Sequence, residues 1–170
     1  MSDIDKKYKN TINLGRPMHE ERNTPNGKGK YRTYVNEAYW WWQPERYSSI
    51  HWSPKTGAHV TQGGIRKQWE QLGFENGFLG FPTSDEIPFT KDGVITESFA
   101  GEEVIGKVSY FEGGAIYWYA ATNDISVYSK QEGQFKYKQE QYTKGFPPVH
   151  AREIVPLLEK VALEIFKKTM

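Results

Sequence analysis

The chain has 170 residues, a formal charge of +1 and no cysteine, while 15% of its residues are aromatic and 16 are glycines. This length fits one domain, or a small domain with a tail. The absence of cysteine excludes disulfides, a thiolate metal site and thiol catalysis. The near-neutral charge argues against a nucleic-acid partner, which requires a basic excess.

The composition also predicts short strands and tight turns around a thin core, or aromatic rings exposed to a ligand. Residues 1–7 precede no apolar run, and no stretch reaches transmembrane length. We therefore expect neither a signal peptide nor a membrane span in this chain.

The first predicted elements are a short helix and a strand. Ile4, Tyr8 and Ile12 are spaced four apart, which predicts a helix that ends at Leu14-Gly15-Arg16-Pro17. Alternation of side-chain types from residue 31 to 35 then predicts a strand.

Three consecutive tryptophans follow, Trp40, Trp41 and Trp42. Successive side chains of a strand point to opposite faces, so all three rings cannot enter one core. Two interpretations stay open: burial on both sides, or at least one indole that is exposed as a platform for a sugar ring.

A second short strand is predicted at Ser49-Ile50-His51-Trp52. The eight-residue gap between His51 and His59 is not specific for a metal, and each histidine is either a packing residue or a ligand contact. The next helix is predicted from Ile65 to Leu72, because residues 65, 69 and 72 share one face and Gly73 ends it.

The central turn is Leu79-Gly80-Phe81-Pro82-Thr83-Ser84-Asp85-Glu86. Its glycine and proline exclude a helix, while the two apolar side chains predict anchorage in a core. Asp85 and Glu86 favour either ordinary turn chemistry or contact with a ligand. A hairpin turn at residues 91–93 and strands at 94–99, 108–111 and 115–120 follow.

The chain contains this turn twice. Leu14-Gly15-Arg16-Pro17-Met18-His19-Glu20-Glu21 precedes it by 65 residues. Ile4 and Tyr8 correspond to Ile65 and Trp69, and the pair His51-Trp52 corresponds to Tyr117-Trp118. Similar landmarks in the same order with nearly constant spacing indicate a tandem repeat.

The repeat resembles a known family, the LGFP repeats. In the second unit the resemblance rests on the central turn, on Asp92-Gly93 and on residues 111–118, and in the first unit it rests on residues 53–60. It implies a module found as tandem copies in secreted bacterial proteins, often beside hydrolases or acyltransferases, which holds them to the cell wall or its sugars. It therefore implies an extracellular or cell-surface location, although no signal peptide is predicted, and it provides no catalytic residues.

The predicted fold is α+β, with two tandem pseudo-symmetric repeats that each hold a short helix, a Gly/Pro turn and a β-hairpin. The repeat domain spans residues 1–130, with repeats at about 4–62 and 63–128, and a linker or arm covers residues 131–150. An amphipathic helix is predicted between Ala151 and Lys168 and either caps the repeats or mediates protein contact and self-association.

We expect a non-catalytic module that binds a cell-wall or other surface glycan, without a metal or cofactor. An assembly role through exposed aromatics and the C-terminal helix is the alternative, and a small hydrolase is a further one. The sequence lacks a nucleophile elbow, an HExxH motif, a P-loop and a dinucleotide fingerprint. The candidate ligand-binding residues are Trp40, Trp41, Trp42, His51, Trp52, His59, Asp85, Glu86, Tyr117 and Trp118.

Overall fold

The computed structural model describes residues 1–37, 46–91, 93–94, 103–131 and 134–137. Within these residues the fold consists of two helices and two antiparallel sheets, which confirms the α+β class. The elements of the first part of the chain are α1 (Asp3–Lys9), β1 (Arg16–Pro17), β2 (Arg22–Asn23), β3 (Lys30–Asn36), β4 (Arg46–Ser53) and β5 (Gly57–Gln62). Those that follow are α2 (Gly63–Gln71), a 3-10 turn (Phe74–Asn76), β6 (Ile87–Thr90), β7 (Gly93–Val94), β8 (Gly106–Phe111), β9 (Gly114–Tyr119), β10 (Ile125–Gln131) and β11 (Gln134–Tyr137).

The strands form two separate sheets. The first has the order β1-β3-β4-β5, with β2 also paired to β3, and the second has the order β11-β10-β9-β8-β6-β7. Sequential strands are neighbours through most of both sheets, as short turns require.

Helix α2 lies between the two sheets. It contacts β4 and β5 of the first sheet and β9 and β10 of the second, whereas α1 packs on β4 and β5. Ile65 and Trp69 of α2 are buried together with Leu79, Phe111 and Ile116. The described layers therefore alternate as helix, sheet, helix, sheet.

Two further clusters lie on the outer sides of this central core. Under α1, Ile4, Leu14, Tyr34, Ile50 and Val60 are buried together. On the face of the second sheet that points away from α2, an aromatic cluster is buried whose members are Phe89, Val108, Ala115, Tyr117, Tyr119 and Tyr128. The second sheet is thus buried on both faces.

Local sequence explains where the helices begin and end. Ser2 and Asp5 form a capping box at the start of α1. Leu72 is the C-cap of α2, and Gly73, which follows it, adopts the left-handed conformation with a φ of +94°. The prediction that Ile12 belongs to the first helix is wrong: α1 ends at Lys9, the Asn10 N–H already bonds back to Lys6 and Lys7, and Ile12 is exposed.

The two Leu-Gly turns have the same local structure. Leu14 and Leu79 are buried, while Gly15 and Gly80 have φ values of +83° and +66°. A side chain at Gly15 would place its Cβ 2.1 Å from the carbonyl oxygen of Val35. Both the backbone conformation and the close approach therefore require glycine there.

Equivalent contacts recur in the two halves of the described chain. The Tyr8 hydroxyl donates to the Gly15 carbonyl (2.9 Å), as the Trp69 indole N–H donates to the Gly80 carbonyl (3.2 Å). The Met18 N–H donates to the Thr33 carbonyl (2.9 Å), as the Thr83 N–H donates to the Tyr110 carbonyl (2.8 Å). The β-bridge between Pro17 and Tyr34 corresponds to the one between Pro82 and Phe111. The ion pair of Lys30 with Glu21 (2.9 Å) corresponds to that of Lys107 with Glu86 (3.6 Å).

The predictions for the C-terminal region concern a linker or arm and a helix. Residues Gln134–Tyr137 pair with β10 as strand β11, within the stretch that the sequence analysis assigns to a linker. The predicted helix between Ala151 and Lys168 lies outside the described residues.

The structure also contains strand β5, which the sequence patterns do not predict. It pairs with β4 over Ser48–Ser53.

Candidate functional site

A polar groove of about 530 Å³ opens where the two halves of the described chain meet. Its walls come from the loop before β1, the end of β3, the start of β4, the junction of β5 and α2, and the second sheet. The lining residues are Asn13, Asn36, Arg46, Tyr47, Ser48, Gln62, Gly63, Gly64, Ile65, Glu86, Lys107, Trp118 and Asn123. Amide, hydroxyl and charged side chains therefore surround an aromatic ring.

Trp118 provides the aromatic wall of the groove. It stands near the end of β9, paired with Lys107 on one side and Ile125 on the other. Its indole N–H donates to the Asn123 side-chain oxygen at 2.7 Å. A Cβ at Gly64 would lie 3.5 Å from the indole Cδ1, so the start of α2 packs directly on the ring and fixes its position.

Glu86 places a carboxylate in the same groove. Its side chain is 11% exposed and lies 3.6 Å from the Lys107 ammonium, which is about half exposed. Burial raises the pKa of Glu86, and Lys107 partly opposes this shift. An acceptor and a cationic donor therefore stand beside the indole.

The first half of the chain also contributes to the lining of the groove. Tyr47 is 38% exposed, Arg46 is exposed, and Asn13 and Asn36 lie close enough for the Asn36 amide to donate to the Asn13 carbonyl at 3.4 Å. These side chains supply hydrogen-bond donors to the same groove as Trp118 and Glu86.

Of the residues predicted from the sequence, Trp118 and Glu86 come together in the groove. Trp52, which corresponds to Trp118 in the first half of the chain, is half-buried and packs in the cluster under α1. Tyr117 is fully buried in the aromatic cluster of the second sheet. Alternation along β9 turns Tyr117 away from Trp118, so Tyr117 is excluded from the candidate site.

Asp85 and His59 join the two halves of the described chain instead of lining the groove. Asp85 forms an ion pair with Lys7 and accepts a hydrogen bond from the Val60 N–H at 2.9 Å. Burial alone would raise its pKa, but the His59, Lys7 and Val60 contacts lower it to about 2. The His59 ring contacts the Thr56 carbonyl at 2.7 Å. We assign both residues a structural role.

His51 lines a separate, smaller cavity that shares none of its lining residues with the groove. Trp40, Trp41 and Trp42 lie outside the described residues. Among the described residues, no group of three or more histidine, aspartate or glutamate side chains is placed to hold a metal ion. None of the described helices has the length and apolar character required to cross a bilayer.

Sequence patterns do not identify seven polar residues of the lining, which are Asn13, Asn36, Arg46, Tyr47, Gln62, Lys107 and Asn123. Each lies at a strand end or in a loop, where polar residues are expected without any binding role. One local signal marks Asn13 and Asn123, whose φ values of +64° and +59° are uncommon for residues other than glycine.

Comparison with known families agrees with the resemblance seen in the sequence. Residues 14–77 match the sequence model of the LGFP repeat. Over this segment, which is less than half of the chain, the protein is similar to the LGFP repeat. The matched segment begins at the first Leu-Gly turn and contains β1 to β5, α2 and the 3-10 turn, so it ends just before the second Leu-Gly turn. No curated protein matches the chain significantly.

Proposed function

We propose that this protein is a non-catalytic binding module that recognises a cell-wall or other surface glycan in the polar groove. The observation that carries the proposal is the position of Trp118 beside Glu86 and Lys107. The family match supports a wall-associated role, and the groove supplies the chemistry for a carbohydrate.

A sugar offers an apolar C–H face and a rim of hydroxyl groups. The half-buried indole of Trp118 suits the C–H face, because aromatic rings bury large apolar areas while their edges remain polar. Asn36, Gln62 and Arg46 supply donors for the rim, and Glu86 supplies an acceptor. Few polar groups around an apolar wall are typical of a small-molecule site.

The presence of a single carboxylate among the described lining residues favours binding over hydrolysis. Glycoside hydrolysis ordinarily uses two carboxyl groups on opposite sides of the scissile bond. Among the described lining residues, Glu86 is the one carboxylate, and it is paired with Lys107. We therefore expect retention of a polysaccharide without release of new reducing ends.

We further propose that the chain is built from two copies of one unit, between which the groove lies. Recurrent contacts, among them Tyr8 to Gly15 and Trp69 to Gly80, support the duplication. The first half provides Arg46 and Tyr47 and the second provides Trp118, so the site is completed only where the two halves meet.

The test is retention of the purified chain on insoluble bacterial cell wall and on a panel of insoluble polysaccharides. Saturable retention that soluble fragments of the same polysaccharide compete away is the expected result. Absence of retention on every wall and polysaccharide would overturn the proposal and favour the protein-interaction alternative. Glu86→Gln tests the proposal that the module is not catalytic. Release of reducing ends by the wild type that is lost in this variant would overturn that proposal.

A further inference from the structure

A second cavity, of about 200 Å³, lies below the corner between α2 and the 3-10 turn. Its lining extends from exposed residues at the mouth, such as Pro25 and Asn76, to buried ones inside. The lining residues are Pro25, Tyr31, Thr33, Ser49, His51, Arg66, Phe74, Glu75 and Asn76. It is separate from the groove, which it adjoins only through sequence neighbours on β4 and α2.

Two buried titratable side chains meet in this cavity. The His51 and Glu75 side chains are 4% and 2% exposed, and His51 Nε2 lies 3.8 Å from Glu75 Oε2. This distance is too long for a direct hydrogen bond. His51 Nδ1 and Glu75 Oε1 are both buried without a hydrogen-bond partner in the described part of the chain. A buried carboxylate oxygen without a hydrogen-bond partner is more costly than an unpaired hydroxyl, so its position in the cavity requires an explanation.

The charge of Glu75 is not balanced within the cavity. Arg66 is the cationic side chain of the lining, and it is engaged by Ser49 Oγ at 2.6 Å and by Glu70 Oε2 at 3.5 Å. No lysine or arginine of the described residues forms an ion pair with Glu75. A buried carboxylate without a cation is costly, which favours a ligand that brings one.

Aromatic rings surround the same place. The His51 ring stacks with Tyr31 (5.4 Å between centroids) and with Phe74 (5.7 Å). Burial, and secondarily Arg66, lowers the pKa of His51 to about 3, so the ring is neutral at pH 7 and one nitrogen is a hydrogen-bond acceptor. Aromatic faces and neutral acceptors favour a cationic donor.

The backbone holds Glu75 inward at a conformational cost. Phe74 precedes it with a φ of +51°, a region that bulky residues rarely adopt. Such strain persists where the surrounding structure fixes it, and it is often found at ligand sites.

We propose that this cavity binds a primary ammonium group, with Glu75 as its counter-ion and His51 as a second acceptor. The cavity volume limits the ligand to about one sugar ring or one amino acid. Two sources share this chemistry, an amino sugar and the free amine of an amino acid or peptide. Because the two unpaired atoms are covered, an ammonium group reaches them only after a small movement of the cavity wall.

The test uses two matched pairs of small molecules, each an amine and its N-acetyl form: glucosamine with N-acetylglucosamine, and alaninamide with N-acetylalaninamide. Titration is followed by calorimetry and by the NMR signals of the His51 ring protons in the full chain. We expect at least one amine to bind and to shift these signals, and its acetylated form to bind at least about tenfold more weakly.

The choice of amine identifies the source. Binding of glucosamine alone indicates an amino sugar, binding of alaninamide alone indicates an amino acid or peptide, and binding of both indicates that the ammonium group suffices. Binding of neither amine, or equal binding of the acetylated forms, overturns the proposal.

Glu75→Gln removes the charge and keeps the shape, and we expect it to weaken binding at least about tenfold. The matched control is Glu70→Gln, an exposed carboxylate beside the same arginine, which should leave binding within about twofold. If Glu75→Gln does not fold, the wild-type titration still decides the question. Trp118→Ala should leave amine binding unchanged, so failure of the glycan proposal and failure of this one are distinguishable.

Discussion

The Trp69 indole N–H donates a hydrogen bond of 3.2 Å to the carbonyl oxygen of Gly80, and this bond joins helix α2 to the central turn. Trp69 is fully buried, and the carbonyl belongs to the glycine whose φ is +66°. The bond between Tyr8 and Gly15 occupies the corresponding place in the first half. Each helix therefore holds the turn that follows it through one aromatic donor.

Trp69→Phe should destabilise the chain by about 2–4 kcal/mol, because it removes the donor of a partly buried carbonyl and opens a cavity in the core. Tyr8→Phe removes the matching donor without a cavity and should cost about 1 kcal/mol. Urea unfolding of the two variants checks both values. A cost for Trp69→Phe no greater than that for Tyr8→Phe would contradict the account.

Gly15 and Gly27 separate the cost of backbone conformation from the cost of a clash. Both have positive φ, but a Cβ at Gly27 meets nothing within 4 Å, whereas one at Gly15 lies 2.1 Å from the Val35 carbonyl oxygen. Gly27→Ala should cost about 1–2 kcal/mol for the left-handed conformation. Gly15→Ala should cost at least about 1 kcal/mol more, because the paired strand must shift. Equal melting temperatures of the two variants would contradict a clash between a side chain at position 15 and the Val35 carbonyl.

The buried His51 should make the chain sensitive to acid. Its pKa is lowered from 6.5 to about 3 by burial and by Arg66, so the unfolded chain binds a proton in this range that the folded chain does not. Stability is therefore fully present above pH 6.5 and is lost as the pH falls below it, by up to about 1.4 kcal/mol per pH unit from this group. The test measures the free energy of unfolding of wild type and of His51→Phe at pH 7 and at pH 5. If both proteins lose the same free energy of unfolding between the two pH values, His51 does not have this role.

Glu75 should act in the opposite direction. Burial raises its pKa above 4.5, so the folded chain holds the proton more strongly than the unfolded chain does. The cost of the buried charge is absent at pH values well below 4.5 and grows as the pH rises through the folded pKa. Glu75→Gln should therefore stabilise the ligand-free chain at pH 7 by about 1 kcal/mol or more. The gain should vanish at pH 4, and thermal unfolding at the two pH values tests this expectation.

Local patterns in the sequence predict the elements that surround the site. The spacing of Ile65 and Trp69 places one face of α2 in the core, and the two apolar side chains Leu79 and Phe81 anchor the central turn, as the structure confirms. These features depend on periodicity and on turn chemistry within a few residues.

Other features depend on contacts between distant parts of the chain. Hydrophobicity does not predict which face of the second sheet Tyr117 and Trp118 occupy. Both faces of this sheet are buried, and either side chain suits a core. Arg46 and Asn123 carry no motif, and only the folded chain brings them to one groove. His51 and Glu75 likewise come close to each other only because the 3-10 turn packs against the first sheet.

The central claim is that the groove around Trp118 binds a glycan. The most direct measurement is the binding isotherm, on a retained polysaccharide, of the wild type, Trp118→Ala and Arg46→Ala. Phe78→Ala is the matched control, since Phe78 is an exposed aromatic outside the groove lining. Circular dichroism shows whether each variant is folded.

The account predicts that Trp118→Ala weakens binding at least about tenfold, that Arg46→Ala weakens it less, and that Phe78→Ala leaves it unchanged. Wild-type affinity in a folded Trp118→Ala variant would contradict it.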